Sequence, residues 1–137
     1  MNWSQVRNAA HKWLEQPETY PGLPARTPSR VRLRVWRYPS FEPCASWSVI
    51  DQKGNLFLRR VLWDQTPTQL PDPNTYGSEV PLDAEVFKEV ITSLEPVSIQ
   101  PYLPSGNIGL DRTRSGMEIN DFRATSCLSW GESHPLA

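Results

Sequence analysis

Hydrophobic and polar residues alternate along the stretch from Ala45 to Trp63, on either side of a Lys53-Gly54-Asn55 turn. A two-residue period is typical of β-strands that have one face buried. Gly54 can adopt the positive φ that closes a tight turn. The stretch is therefore predicted to be a β-hairpin, and because an isolated hairpin is only marginally stable, other segments are expected to pair with it and cover it.

Patterns of apolar and polar residues also predict the secondary structure of the rest of the chain. Apolar residues at helical spacing predict helices over 2–15 and 84–94, with Asp83 as the N-cap of the second. The remaining segments are a proline-rich connector over 16–29, a core sheet over 30–63, a long irregular loop over 64–81 and short C-terminal strands over 95–130. Within the last of these, a strand at 95–100, a hairpin turning at 112–116 and a final strand at 125–130 are expected.

This order of elements predicts a single α+β domain over 1–137. Its mostly antiparallel sheet has about five to six strands, and two helices pack on one face of it. A chain of 137 residues is long enough to bury a core of its own.

The charge is unevenly distributed. Residues 1–60 carry ten Lys and Arg against four Asp and Glu, whereas residues 61–137 carry four against eleven. Two outcomes are compatible with this: a dipolar surface with one face suited to a charged partner, or intermixing of the two halves in the fold, which neutralises them.

Arg30 to Tyr38 has the strongest strand pattern, and the alternation predicts that its polar and aromatic residues share one face. Guanidinium groups beside aromatic rings favour binding of phosphates, nucleic acid or an acidic protein. The alternative is a solvated outer face whose arginines pair with carboxylates on neighbouring strands. The predicted face consists of Arg30, Arg32, Arg34, Trp36 and Tyr38.

The stretch from Asp64 to Pro81 contains four prolines and is longer than most structureless connections. Loops of this length in compact domains often bind partners. Tyr76 lies within it and completes the predicted partner-binding set of Arg32, Arg34, Trp36, Tyr38 and Tyr76.

Motifs with a defined chemistry are missing from the sequence. There is no glycine-rich phosphate loop, no GxSxG and no HExxH. Cys44 and Cys127, with His11 and His134, do not have the spacing of a zinc site, and both thiols are expected to be reduced and structural. No catalytic residue, cofactor or metal is predicted. Without a long apolar run the chain is expected to be cytoplasmic, with no membrane association, as a monomer or weak homodimer.

The C-terminal segment IGLDRTRSGMEINDF followed by CLSW resembles small uncharacterised bacterial proteins of the immunity type, which are encoded near secreted toxins. The matching positions are Gly109, Leu110, Asp111, Thr113, Glu118, Leu128, Ser129 and Trp130. Arg112 and Gly131 depart from the pattern. The resemblance implies a fold type more than an activity.

Three functions follow as hypotheses. The leading one is a small protein-binding protein, of an immunity or toxin-neutralising type, that covers a partner's surface without catalysis. The second is a nucleic-acid-binding module that uses the Arg30–Tyr38 strand, although such modules are usually basic. The third is a small enzyme that uses the charged segment Asp111–Asp121, where carboxylates lie beside arginines.

Overall fold

The computed structural model describes residues 2–67, 72–94, 112–120 and 125–133, without the side chains of residues 112, 132 and 133. Two helices and six strands follow one another along the chain, with a short 3₁₀ helix (Pro17–Thr19) after the first helix. They are α1 (Trp3–Glu15), β1 (Arg30–Pro39), β2 (Cys44–Gln52), β3 (Asn55–Trp63), β4 (Thr75–Leu82), α2 (Ala84–Leu94), β5 (Arg112–Asn120) and β6 (Thr125–Ser133).

All neighbouring strands are antiparallel and form one sheet of order β4-β3-β2-β1-β5-β6. The predicted α+β class is confirmed. Both helices begin where the sequence indicated: Asn2 Oδ1 accepts from the Gln5 amide at 3.0 Å, and Asp83 Oδ1 accepts from the Glu85 amide at 2.8 Å. Neither helix is long and apolar enough to cross a membrane, within the residues described.

The predicted β2–β3 hairpin is also confirmed. Lys53 and Gly54 have φ values of 53° and 85°. Positive φ at both central positions is the geometry of a type I′ turn, whose twist matches that of the paired strands. Asp51 Oδ1 accepts from the Gly54 amide at 2.9 Å and fixes the turn.

The two helices pack on opposite faces of the sheet, so the expectation that they share one face is wrong. In β3 the side chains of Val61 and Trp63 pack with α1, whereas Leu56 and Leu58 pack with Phe87 of α2. Residues of opposite parity on a strand point to opposite faces. Since β3 is apolar at positions of both parities, both of its faces need a cover. The two faces are named the α1 side and the α2 side below.

The long loop predicted over 64–81 is wrong in its second half, because Thr75–Leu82 is strand β4 and pairs with β3 along its length. The four prolines of this stretch favoured a loop. An edge strand tolerates a proline near its end. Gly77 lies beneath the Tyr20 ring, where an added Cβ would approach Tyr20 Cε1 to 2.5 Å. The glycine thus makes room for a ring and does not form a turn.

The turn predicted at 112–116 is also wrong, because these residues lie inside β5. The final strand at 125–130 is confirmed as part of β6. The strand predicted at 95–100 and the segment 108–111 lie outside the described residues.

The proline-rich connector is fastened to the α1 side of the sheet by Arg59. This side chain is completely buried, at 0% exposure. Its Nη1 donates to Pro17 O at 2.8 Å, its Nη2 donates to Pro24 O at 2.6 Å, and Nη2 also donates to Glu79 Oε1 at 2.9 Å. One guanidinium therefore joins two points of the connector to a carboxylate on β4.

Arg26, from the connector itself, binds the same carboxylate. Its Nη2 donates to Glu79 Oε2 at 2.9 Å, and its guanidinium lies 3.8 Å from the centre of the Phe57 ring. Burial alone would raise the pKa of Glu79, but the hydrogen bonds from Arg26 and Arg59 outweigh it, and the pKa lies below its ordinary value. Arg26 and Arg59 come from the basic half of the sequence and Glu79 from the acidic half, so the two halves intermix at this point.

Replacing Arg59 with methionine is expected to destabilise the fold by about 3–5 kcal/mol, since it leaves the Glu79 carboxylate and two connector carbonyls buried without this donor. Urea denaturation measures the loss. Arg60→Met, at the exposed neighbouring position, is the matched control and should change stability by less than about 0.5 kcal/mol. Equal losses in the two variants would contradict the role assigned to Arg59.

Candidate functional site

The predicted arginine face on β1 is divided between the two sides of the sheet. The pairing of β1 with β2 shifts register between Val31 and Leu33. A β-bulge of this kind adds one residue and reverses the facing of the chain beyond it. Arg32 consequently lies on the α2 side, with Nη1 3.6 Å from Asp51 Oδ2 and its guanidinium 5.3 Å from the centre of the Phe87 ring. Arg30 also pairs in register with Asp51.

Arg34, Trp36 and Tyr38 remain together on the α1 side. The Arg34 guanidinium lies 4.2 Å from the centre of the Trp36 ring, and Nη1 donates to Tyr38 Oη at 3.2 Å. The Trp36 and Tyr38 rings stack with centroids 6.3 Å apart. The prediction of a shared face therefore holds for these three residues and is wrong for Arg30 and Arg32.

Trp36 is the buried member of this cluster, and Arg34 and Tyr38 are half-buried. Trp36 is 9% exposed and sits over Gly116, where an added Cβ would come within 1.9 Å of the ring. Burial raises the pKa of Tyr38 to about 12, although the nearby Arg34 opposes the shift. The Tyr38 hydroxyl therefore stays protonated at neutral pH. Arg34, Trp36 and Tyr38 stabilise the joint between β1 and β5.

Such burial gives little support to nucleic-acid binding through this strand. Stacking of bases requires aromatic faces that are open to solvent. The Trp36 ring has the Arg34 guanidinium on one face and lies against the backbone of Gly116. The nucleic-acid hypothesis stays a prediction.

The enzyme hypothesis concerned the charged segment Asp111–Asp121, and both of these aspartates lie outside the described residues. Glu118 pairs in register with Arg34, and its Oε1 accepts from Asn120 Nδ2 at 2.9 Å. Across the described ranges, no three His, Cys, Asp or Glu side chains gather as a metal site would require. This hypothesis also stays a prediction.

The α2 side carries most of the exposed apolar groups. Of the eight large hydrophobic side chains most exposed in the described part of the chain, six belong to this side of the sheet or to α2 itself. Tyr76 is 58% exposed and Trp47 is 39% exposed. The six are Trp47, Tyr76, Val80, Val86, Val90 and Trp130.

Strand register places the central members of this group. Trp47 pairs with Arg60, which pairs with Ser78, and Tyr76 is two residues along β4 from Ser78. From the spacing of strands and residues in a sheet, Trp47 and Tyr76 are about 12 Å apart. Arg60 is exposed between them and forms no salt bridge with any residue that the structure describes. We call Trp47, Arg60, Tyr76 and Val80 the α2-side surface.

Of the predicted binding residues, only Tyr76 belongs to this surface. The sequence signal for Trp47 was present, since it is a large aromatic residue in a strand flanked by serines. The alternation assigns Trp47 to one face of the sheet but does not show whether a helix covers it there. On α2, Phe87 and Ile91 pack against the sheet, whereas Val86 and Val90 are exposed.

The cysteines differ from each other. Cys44 is buried, its Sγ donates to Pro39 O at 3.6 Å, and burial raises the pKa of its thiol to about 11. It is therefore an unreactive structural thiol, as expected. Cys127 is free and exposed on β6, so the expectation that it is structural is wrong.

No family model, curated protein or solved structure matches this chain. The resemblance to immunity-type proteins therefore rests on its own residues. Gly109, Leu110 and Asp111 lie outside the described residues. Of the others, Thr113 is buried on β5, and the segment from Leu128 to Trp130 lies on β6.

Gly116→Ala is expected to destabilise the protein by about 1–3 kcal/mol, because the new methyl group overlaps the Trp36 ring. Thermal unfolding measures this loss. The matched control is Gly131→Ala on the adjacent strand, where the nearest atom to an added Cβ is Thr113 O at 3.8 Å. Similar melting temperatures for the two variants would show that Trp36 does not occupy this position.

His11 predicts part of the pH dependence of stability. Its ring contacts Tyr38 and Trp63 at centroid distances of 5.1 and 5.8 Å, and burial lowers its pKa below the ordinary 6.5. The unfolded chain therefore binds the proton more readily. Above pH 6.5, His11 is neutral in both the folded and the unfolded chain and does not reduce the free energy of unfolding. This free energy decreases as the pH falls through the folded-state pKa of His11.

The measurement is the free energy of unfolding between neutral and mildly acidic pH, in the wild type and in His11→Phe. His11→Phe should abolish the loss of stability that protonation of His11 causes. It should keep the loss of stability that occurs at lower pH, below the ordinary pKa of Glu79, where that carboxylate takes up a proton. An unchanged profile would contradict the assignment to His11.

Proposed function

We propose that this protein binds another protein, without catalysis, through the α2-side surface. The observation that supports the proposal is the concentration of exposed large apolar side chains on one side of the sheet, with Tyr76 and Trp47 at its centre. Monomeric proteins seldom expose such groups together, and apolar patches of this kind are typical of interaction sites.

The residue types indicate the chemistry of the partner. Tyr, Trp and Arg contribute most of the binding energy at protein interfaces. Here the two rings flank Arg60, whose guanidinium can form a bidentate pair with a carboxylate. The expected partner surface therefore offers apolar pockets for the rings, with an Asp or Glu between them.

Within this class, the proposed type is an immunity or toxin-neutralising protein that acts in the cytoplasm. The sequence resemblance on β5 and β6 supports the type. The two unpaired cysteines support the cytoplasmic location, since free thiols are usual where the environment is reducing. In this type the partner is a toxin, and neutralisation follows from covering its surface.

The test is capture of a partner from native lysate by the tagged protein, followed by binding measurements on the purified pair. Trp47→Ala and Tyr76→Ala should each weaken binding by about 2 kcal/mol, or roughly 30-fold, if they are central anchors. Their melting temperatures should fall only slightly, because both side chains are substantially exposed.

Phe41→Ala is the matched control. Phe41 is 77% exposed but lies in the connection between β1 and β2, outside the α2-side surface. If all three variants bind the captured partner equally weakly, or if all three bind it as tightly as the wild type, the α2-side surface is not the binding site. Restored growth of cells that express the captured partner, on co-expression of this protein, would identify that partner as a toxin.

A further inference from the structure

The two edges of the sheet are protected very differently. β4, at one edge, contains Pro81, and the connector lies on its α1 side, where Tyr20 contacts Gly77 and Arg26 binds the Glu79 carboxylate. Proline and covering segments are the usual means by which proteins block an edge against further pairing. Pro81 therefore makes β4 the less favourable of the two edges for further pairing.

β6, at the other edge, shows none of these features among the residues that the structure describes. It is nine residues long, contains no proline and carries a single charged residue, Glu132. No described strand pairs with its outer side. Of its residues from Thr125 to Gly131, every one except Leu128 is exposed. An open edge of this kind presents a row of backbone donors and acceptors with which another extended strand can pair along its length.

We propose that the occupant of this edge is a second copy of the chain, and that two β6 strands pair antiparallel about a two-fold axis at Ser129. In such a pairing each residue meets one at an equal distance on the other side of the axis. Centring on Ser129 overlaps all nine residues, from Thr125 opposite Ser133 to Ser133 opposite Thr125. The result is one continuous sheet of two copies.

The sequence of β6 suits this register. Leu128 meets Trp130 of the second copy, and this pair lies on the α2 side, where an aliphatic group against an aromatic ring is favourable. Glu132 meets Ser126, so the only charge of the strand does not face its own copy. Cys127 meets Gly131, so the two Cys127 thiols are not adjacent. No residue of the α2-side surface takes part in this pairing. If two copies do not pair through β6, the proposed function is therefore unaffected.

Sedimentation equilibrium of the full chain tests the proposal with two lysine variants. The wild type should dimerise in a concentration-dependent way. Ser129→Lys should weaken dimerisation by at least about tenfold, because it places two like charges at the axis. Ser126→Lys is the matched control on the same strand and should leave dimerisation intact, because its opposite position is a glutamate. A monomer at every concentration, or a dimer insensitive to Ser129→Lys, would overturn the proposal.

Cross-linking makes the result independent of any effect on folding. In a Cys127→Ser background, Ser129→Cys should form an intermolecular disulfide on mild oxidation, because cross-strand Cβ atoms at the axis are about 4.5–5.5 Å apart. Ser126→Cys should not, since two copies of position 126 would be about 20 Å apart along the strands. Equal cross-linking of the two variants would exclude this register.

Discussion

The buried guanidinium of Arg59 determines how the first third of the chain lies on the sheet. The connector cannot form a hydrogen-bonded ladder through its prolines, so its carbonyl groups need donors from elsewhere. Arg59 supplies these donors to Pro17 and Pro24, and Glu79 compensates its charge. The connector and β4 are thus joined through one side chain of β3.

Arg59 binds the connector through two main-chain oxygens. These two hydrogen bonds therefore do not require particular side chains in the connector. Arg26 is the exception, since it shares the carboxylate and covers Phe57. The cost of burying the Arg59 guanidinium is reduced by the geometry of its hydrogen bonds with Glu79. Net charge alone does not reveal this arrangement, because the three residues are far apart in sequence.

The sequence predicted those parts of the fold that local patterns determine. Both helices, the β2–β3 hairpin with its Lys53-Gly54 turn, and the last strand follow from periodicity and capping. The prediction failed at residues that are common in turns and loops but that here make room for a side chain from a distant part of the sequence. Gly116 falls in the predicted turn and Gly77 in the predicted loop, but each is a place where a ring, that of Trp36 or Tyr20, approaches the backbone. The bulge after Val31 has no local signal, and it alone separated Arg32 from Arg34. The candidate site was predicted only at Tyr76, because exposure on a strand depends on which face the helices cover.

The pairing of β1 with β5 has a consequence for how the chain folds. It joins residues 74 to 86 positions apart, from Pro39 with Thr113 to Leu33 with Ile119, whereas β1 to β4 pair with their neighbours in sequence. Closing so large a loop carries an entropic cost that short hairpins avoid. The four-stranded meander is thus able to assemble while the C-terminal hairpin is still being synthesised. Until β5 docks, the central strand β1 is itself an edge. A meander that assembles before β5 therefore leaves β1 open to pairing with other extended segments.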